Sequence, residues 1–96
     1  MKIAIASLGQ NNNSEVSPQA GRAPYYLIFD NSELIEVWKN VFSIGGGGAG
    51  PAVAKIMADK NVEKVISSNF GEKMKDALNA KNISFEEKSG IIKDIL

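Results

Sequence analysis

The stretch PAVAKIMADKNVEKVISSNFGEKMKDALNAKNISFEE, residues 51–87, decides the fold class. Its first part places Val53, Ile56 and Met57 at helical spacing, with Ala52 and Ala54 adding propensity. Pro51 suits the first helical position, where its missing N–H costs nothing. Val62–Ser68 (VEKVISS) has the apolar run and branched residues of a strand. Asn69 then fits a helix cap, with Glu72 at the three-residue spacing of a capping box, and Met74, Ala77 and Leu78 form the next apolar stripe. ISFEE closes the stretch as a short strand. A Lys-Asn pair stands between helix and strand twice, at 60–61 and 81–82. Asparagine tolerates the left-handed backbone that ends helices, so each pair predicts a helix stop. Helix–strand–helix–strand alternation predicts parallel strands joined by right-handed crossovers.

Upstream, YYLIFD (Tyr25–Asp30) and ELIEVWKN (Glu33–Asn40) are rich in aromatic and branched residues around Asp30-Asn31-Ser32, which reads as a β-hairpin. In its second strand, Glu36 between apolar Ile35 and Val37 suggests one wet face, as on a sheet edge. KIAIAS (Lys2–Ser7) predicts a strand covered on both faces. Residues 9–24 are polar with two prolines and two glycines, a long loop of the kind that carries function when ordered. SGIIKDIL predicts a terminal helix turning Ile91, Ile92, Ile95 and Leu96 to the core. Residues 1–96 thus read as a single domain of the α/β class, a mixed five-stranded sheet containing an antiparallel hairpin, with three helices.

Eleven basic and eleven acidic side chains cancel, so no overall field draws the chain to nucleic acid or an anionic membrane. No segment approaches the ~20 apolar residues that span a bilayer, and a cytoplasmic protein without nucleic-acid or membrane partners is the expectation. The chain has neither cysteine nor histidine. Thiolate nucleophiles, imidazole bases and the usual protein ligands of zinc or iron–sulfur clusters are therefore excluded.

Three loops remain where chemistry can sit. Gly45, Gly47 and Gly50 formally match G-x-G-x-x-G, but they follow an edge hairpin rather than the first strand of a dinucleotide-binding unit. Pro51 and Ala52 stand where a nucleotide P-loop needs Lys and Ser or Thr. Glycine amides at a helix start suit an anion; the alternative is a plain connector. Arg22, between Gly21 and Ala23, offers forked recognition of oxyanions, or else a surface pair with Glu15. SSNFG (67–71) occupies the strand-to-helix crevice position, with Ser68 as a hydroxyl donor; its alternative is a capped helix start with Gly71 for close packing. The carboxylates Glu33, Glu36, Glu63, Glu86, Glu87 and Asp94 fall mainly on wet faces, which supplies little for catalysis. A nuclease reading is weak, because the first strand ends in Ala6-Ser7 without an acidic metal ligand.

The segments MKIAIAS, VSPQAGRAPYYLIFD, GGGAGPAVAKIMADKNVEKVISSNFG and DALNAKNISFEE resemble, in order and spacing, the dinitrogenase iron–molybdenum cofactor biosynthesis family of NifX-like and NifB-like domains. The resemblance covers nearly the whole chain. It implies a ribonuclease H-like fold with strand order 3-2-1-4-5 and the second strand antiparallel. It also implies a non-enzymatic domain binding iron–molybdenum cofactor or iron–sulfur cluster precursors. The matching positions are Gly21, Arg22 and Ala23, together with Gly48, Ala49 and Gly50; the expected site for a small anionic ligand or metal cluster is Gly21, Arg22, Gly47, Gly48, Ala49, Gly50 and Ser68. Gln19-Ala20 stand where the family commonly has His-Phe. The rival reading is a protein-interaction or regulatory module whose partner contacts the hairpin edge, Glu33 to Asn40, or an exposed Trp38.

Overall fold

The structure, a computed structural model, describes residues 1–45 and 48–96. Five strands form one sheet in the order β3-β2-β1-β4-β5: β1 (Lys2–Ser7), β2 (Tyr25–Asp30), β3 (Glu33–Lys39), β4 (Lys64–Ser67) and β5 (Ser84–Glu87). β1 is antiparallel to β2 and parallel to β4, β2–β3 is the antiparallel hairpin, and β4–β5 is parallel. The helices are α1 (Ala49–Asp59), α2 (Glu72–Ala80) and the short α3 (Ile92–Ile95). Strand order, the antiparallel second strand and three helices agree with the expectation.

Alternation along β1 divides the core between two faces. Ala4 and Ala6 lie with Val53, Ala54 and Met57 of α1 and Met74 and Leu78 of α2. Ile5 lies on the other face with Leu27, Phe29, Ile66, Val16 and Ile92. Small alanines on the two-helix side let α1 and α2 settle close to the central strand. Among the described residues, the opposite face receives only α3 and the loop after β1. In α3, Ile92 is fully buried, but Leu96 is 46 % exposed, against the expectation that it turns inward.

Both helix stops follow the sequence reading. Asn61 and Asn82 have φ of 62° and 58°, and the N–H groups of Val62 and Ile83 donate back to Met57 O and Leu78 O at 3.0 and 2.9 Å. These are six-residue closures of the Schellman type. The hairpin turn has φ of 51° at Asn31 and 69° at Ser32, the two positive values a type I′ turn requires.

Three local expectations are corrected. α1 begins at Ala49 with Gly48 as its cap, so Pro51 is third rather than first, still within the turn whose N–H groups lack helical partners. α2 is capped by Gly71, not Asn69, and without a side-chain bond. β3 carries a bulge at Ile35, since Ile28 pairs with Glu36 and Phe29 with Leu34. Glu36 consequently sits half-buried on the helix side, paired with Lys60 at 2.5 Å, while Ile35 and Val37 face solvent. The wet face of this edge is the aliphatic one.

Candidate functional site

Because β1 and β4 run parallel and β2 and β3 close a hairpin, the ends of β1, β3 and β4 and the start of β2 share one end of the sheet. The loops there converge on a cleft of about 600 Å³, lined by Pro18 to Arg22, Gly48 to Pro51, Asn69 and Gly71 to Met74. All three loops singled out in the sequence contribute. This is the crevice beyond the strand ends where open α/β sheets commonly take ligands.

The long loop before β2 is pinned rather than loose. Ser17 N–H donates to Ala6 O at 2.8 Å, Ser68 N–H to Ser17 O at 3.1 Å, and Ala20 N–H to Asn69 O at 3.2 Å. The buried Ser67 hydroxyl donates to Ser17 O, 3.0 Å. The Tyr26 phenol, wholly enclosed beneath the loop, donates to Ala20 O. Burial pushes that phenol well above its ordinary value, so it remains a donor throughout the physiological range. Glu86 is the other shifted group: its hydrogen bond to Lys64, with Lys88 at 3.7 Å, holds the carboxyl below the usual range, away from the cleft.

Close backbone approach sets the cleft walls. A Cβ on Gly21 would lie 3.0 Å from Gly50 N, and a Cβ on Gly50 would lie 2.8 Å from Met74 Cβ. Glycine at these positions lets the arginine loop, the first turn of α1 and α2 come together. Asn40, 2 % exposed, holds the arrangement from behind. Its amide donates to Gly21 O at 3.0 Å and Ala23 O at 2.9 Å, while its carbonyl accepts from Phe42 N–H at 2.9 Å. Arg22 Nη1 donates to Phe42 O at 3.3 Å, tying the same two loops.

Of the residues expected at the site, Gly21, Arg22, Gly48, Ala49 and Gly50 line the cleft. Gly47 lies outside the described residues. Ser68 does not line it; its hydroxyl is turned to Lys88 O at 3.2 Å. Sequence reasoning missed Lys73, Met74 and Asn40. Local pattern gives no sign of Asn40, because its carbonyl partners lie 19 and 17 residues away.

The first turns of α1 and α2 both border the cleft, bringing unpaired backbone N–H groups and the positive ends of two helix dipoles. Arg22 and Lys73 add formal charge, and Lys73 makes no ion pair among the described residues. The carboxylate of Glu72 lies 3.5 Å from Lys75 on its own helix. Among the described residues no group of three or more carboxylates could hold a metal. Without thiolate or imidazole, this donor set does not fit a cluster ligated by the protein. It fits an anion that brings its own ligands.

A mixed sheet of this order, with a cleft of glycine backbone and cations at the strand ends, defines a small α/β domain. The chain belongs to the dinitrogenase iron–molybdenum cofactor family, whose model matches residues 1–96. It is similar to a candidate NifB protein of the DUF35 family from Thermotoga, with 32 % identity, a TM-score of 0.80, and coverage of 97 % of this chain and 81 % of that one. The apo form of the orange protein from Desulfovibrio gigas shares the fold at 24 % identity, with a TM-score of 0.87 and coverage of 95 % and 78 %. A candidate dinitrogenase from Methanocaldococcus jannaschii does so at 22 % identity, with a TM-score of 0.61 and coverage of 99 % and 84 %. No curated protein matches the sequence. Among the described residues, no helix is long and apolar enough to cross a membrane.

Proposed function

We propose that residues 1–96 act as one non-enzymatic binding domain whose cleft holds a small anionic ligand, in the class of metal–sulfur cluster precursors, as cargo. The observation that carries this reading is the meeting of two helix starts, Arg22 and Lys73 around one cleft of about 600 Å³. Backbone N–H groups and two cations suit dispersed negative charge, and charge-assisted hydrogen bonds are the stronger kind. Family membership supports a cofactor-related ligand. The absence of cysteine and histidine sets the mode of binding: hydrogen bonds and charge, with the cargo keeping its own ligands.

Anaerobic titration with an isolated cluster precursor tests this. A saturable change in the visible spectrum and co-elution on gel filtration are expected, with affinity at least ~10-fold weaker for Arg22→Ala, the loss of one charged hydrogen bond. No spectral change and no co-elution sink the cluster reading. The second reading, an interaction module, is favoured by one observation away from the cleft: the aliphatic residues left exposed on β3.

A further inference from the structure

The sheet face opposite α1 and α2 is covered in part only, because α3 is four residues long. Beside α3 lies a second cavity, of about 240 Å³. Its floor is Ile3 and Ile5 of β1, Phe29 of β2 and Ile66 of β4, the three central strands. Ile5, Phe29 and Ile66 are buried and Ile3 is half-buried. Ile95 and Leu96 form one wall. Leu96, exposed instead of packed in the core, thus borders an apolar hollow.

The other wall is cationic. Alternation sends Val65 and Phe85 to the helix side of the sheet, and Ile66 and its cross-strand neighbour Glu86 to this one. Lys64, two residues before Ile66, and Lys88, two beyond Glu86, line the cavity. Their ammonium groups share one carboxylate. Glu86 pairs with Lys64 through one oxygen and lies 3.7 Å from Lys88 through the other. Among the described residues neither lysine has another ion pair, and no aspartate or glutamate lines the cavity. The Met1 ammonium, also at the rim, is balanced by Asp30 at 3.5 Å. One positive charge is therefore left over beside an apolar floor.

We propose that this cavity is a second binding site, for a small amphipathic carboxylate whose aliphatic chain lies over Ile3, Ile5, Phe29 and Ile66 and whose head meets Lys64 and Lys88. Removing the chain and the isoleucine floor from water drives entry, without direction. The two ammonium groups fix the orientation through charge-assisted hydrogen bonds, while the lysine stems extend the apolar wall. Volume sets the size of the ligand. About 240 Å³ equals roughly eight volumes of ~30 Å³, the share of one water in the liquid, which suits an acid of about eight carbons. Pockets for drug-sized ligands begin near ~300 Å³, so one short chain fits and a larger ligand does not. No lining residue is shared with the cleft, so this site stands or falls apart from the cargo reading above.

Chemical-shift mapping of amides and methyl groups during titration with octanoate tests it. Saturable shifts are expected at the methyls of Ile3, Ile5, Ile66, Ile95 and Leu96, with Gly21 and Gly50 unmoved. For about ten non-hydrogen atoms the expected Kd is about 0.1–1 mM. Octan-1-ol, without the carboxylate, and acetate, without the chain, should each bind at least ~10-fold more weakly. Lys64→Gln combined with Lys88→Gln should weaken octanoate about tenfold and leave octan-1-ol within about twofold, a split that a merely structural role would not produce. Lys88→Gln alone, removing the longer of the two ion pairs, should weaken octanoate about threefold and serves if the double variant fails to fold. Absence of saturable shifts at the isoleucine methyls overturns the inference, as do shifts confined to the cleft. So does wild-type chain that binds octan-1-ol as tightly as octanoate, or lysine variants that bind octanoate unchanged.

Discussion

The cleft and the outer edge of β3 both border on solvent, but they are built in opposite ways. At the cleft, backbone meets backbone: Gly21 lies against Gly50, and Gly50 against Met74, with carbonyls tied by Asn40 and Tyr26. At the edge, nothing pairs with the outer side of β3 among the described residues, and Leu34, Ile35 and Val37 are exposed. A site shaped by main-chain contact has little room for side chains, so substitution there changes the fold. A site shaped by exposed side chains tolerates substitution with little loss of stability.

The largest expected effect sets these regions directly against each other. Gly50→Ala puts a methyl group 2.8 Å from Met74 Cβ, which forces the start of α1 away from α2. Overpacking of this kind costs about 1–3 kcal/mol. Val37→Ala, at an exposed edge position, should stay within about 0.5 kcal/mol. Urea unfolding of both variants provides the comparison. Equal losses would break the contrast.

Tyr26→Phe is expected to cost less, about 1–2 kcal/mol at neutral pH, by leaving the carbonyl of Ala20 without its donor. Its pH dependence sharpens the test. The phenol is raised above its ordinary value in the folded chain, so its stabilising contribution is complete below pH ~10 and declines as pH rises beyond that. The wild type should lose about 1.4 kcal/mol per pH unit above pH ~10 from this group, a slope that Tyr26→Phe lacks. Parallel slopes for the two proteins would show that the phenol is not held neutral by the fold.

The sequence-level signals that succeeded were local. The apolar spacing of Val53, Ile56 and Met57, the repeated Lys-Asn stop and the Asn31-Ser32 turn each depend on neighbours within a few residues, and each element formed where these signals lie. The convergence of three loops was legible too, because the parallel and hairpin connections bring those loops to one end of the sheet. What failed was tertiary. Asn69 gives its backbone carbonyl to Ala20 and the Ser67 hydroxyl, and the cap passes to Gly71. Ser68 is turned to Lys88 O by the β4–β5 pairing. The bulge at Ile35 reverses which face of β3 is wet, and a bulge leaves no mark in a pattern of alternating residue types. Asn40 reads as the end of a strand, yet its amide organises the cleft from behind.

The central claim is that the cleft, and not the edge of β3, receives an anionic ligand. Amide chemical-shift mapping of the isotope-labelled chain during titration with molybdate tests it most directly. Saturable shifts are predicted at Gly21, Arg22, Ala49, Gly50 and Gly71 to Met74, with Glu33 to Lys39 unmoved. Absence of shifts at the cleft amides, or shifts confined to the hairpin, would contradict the account.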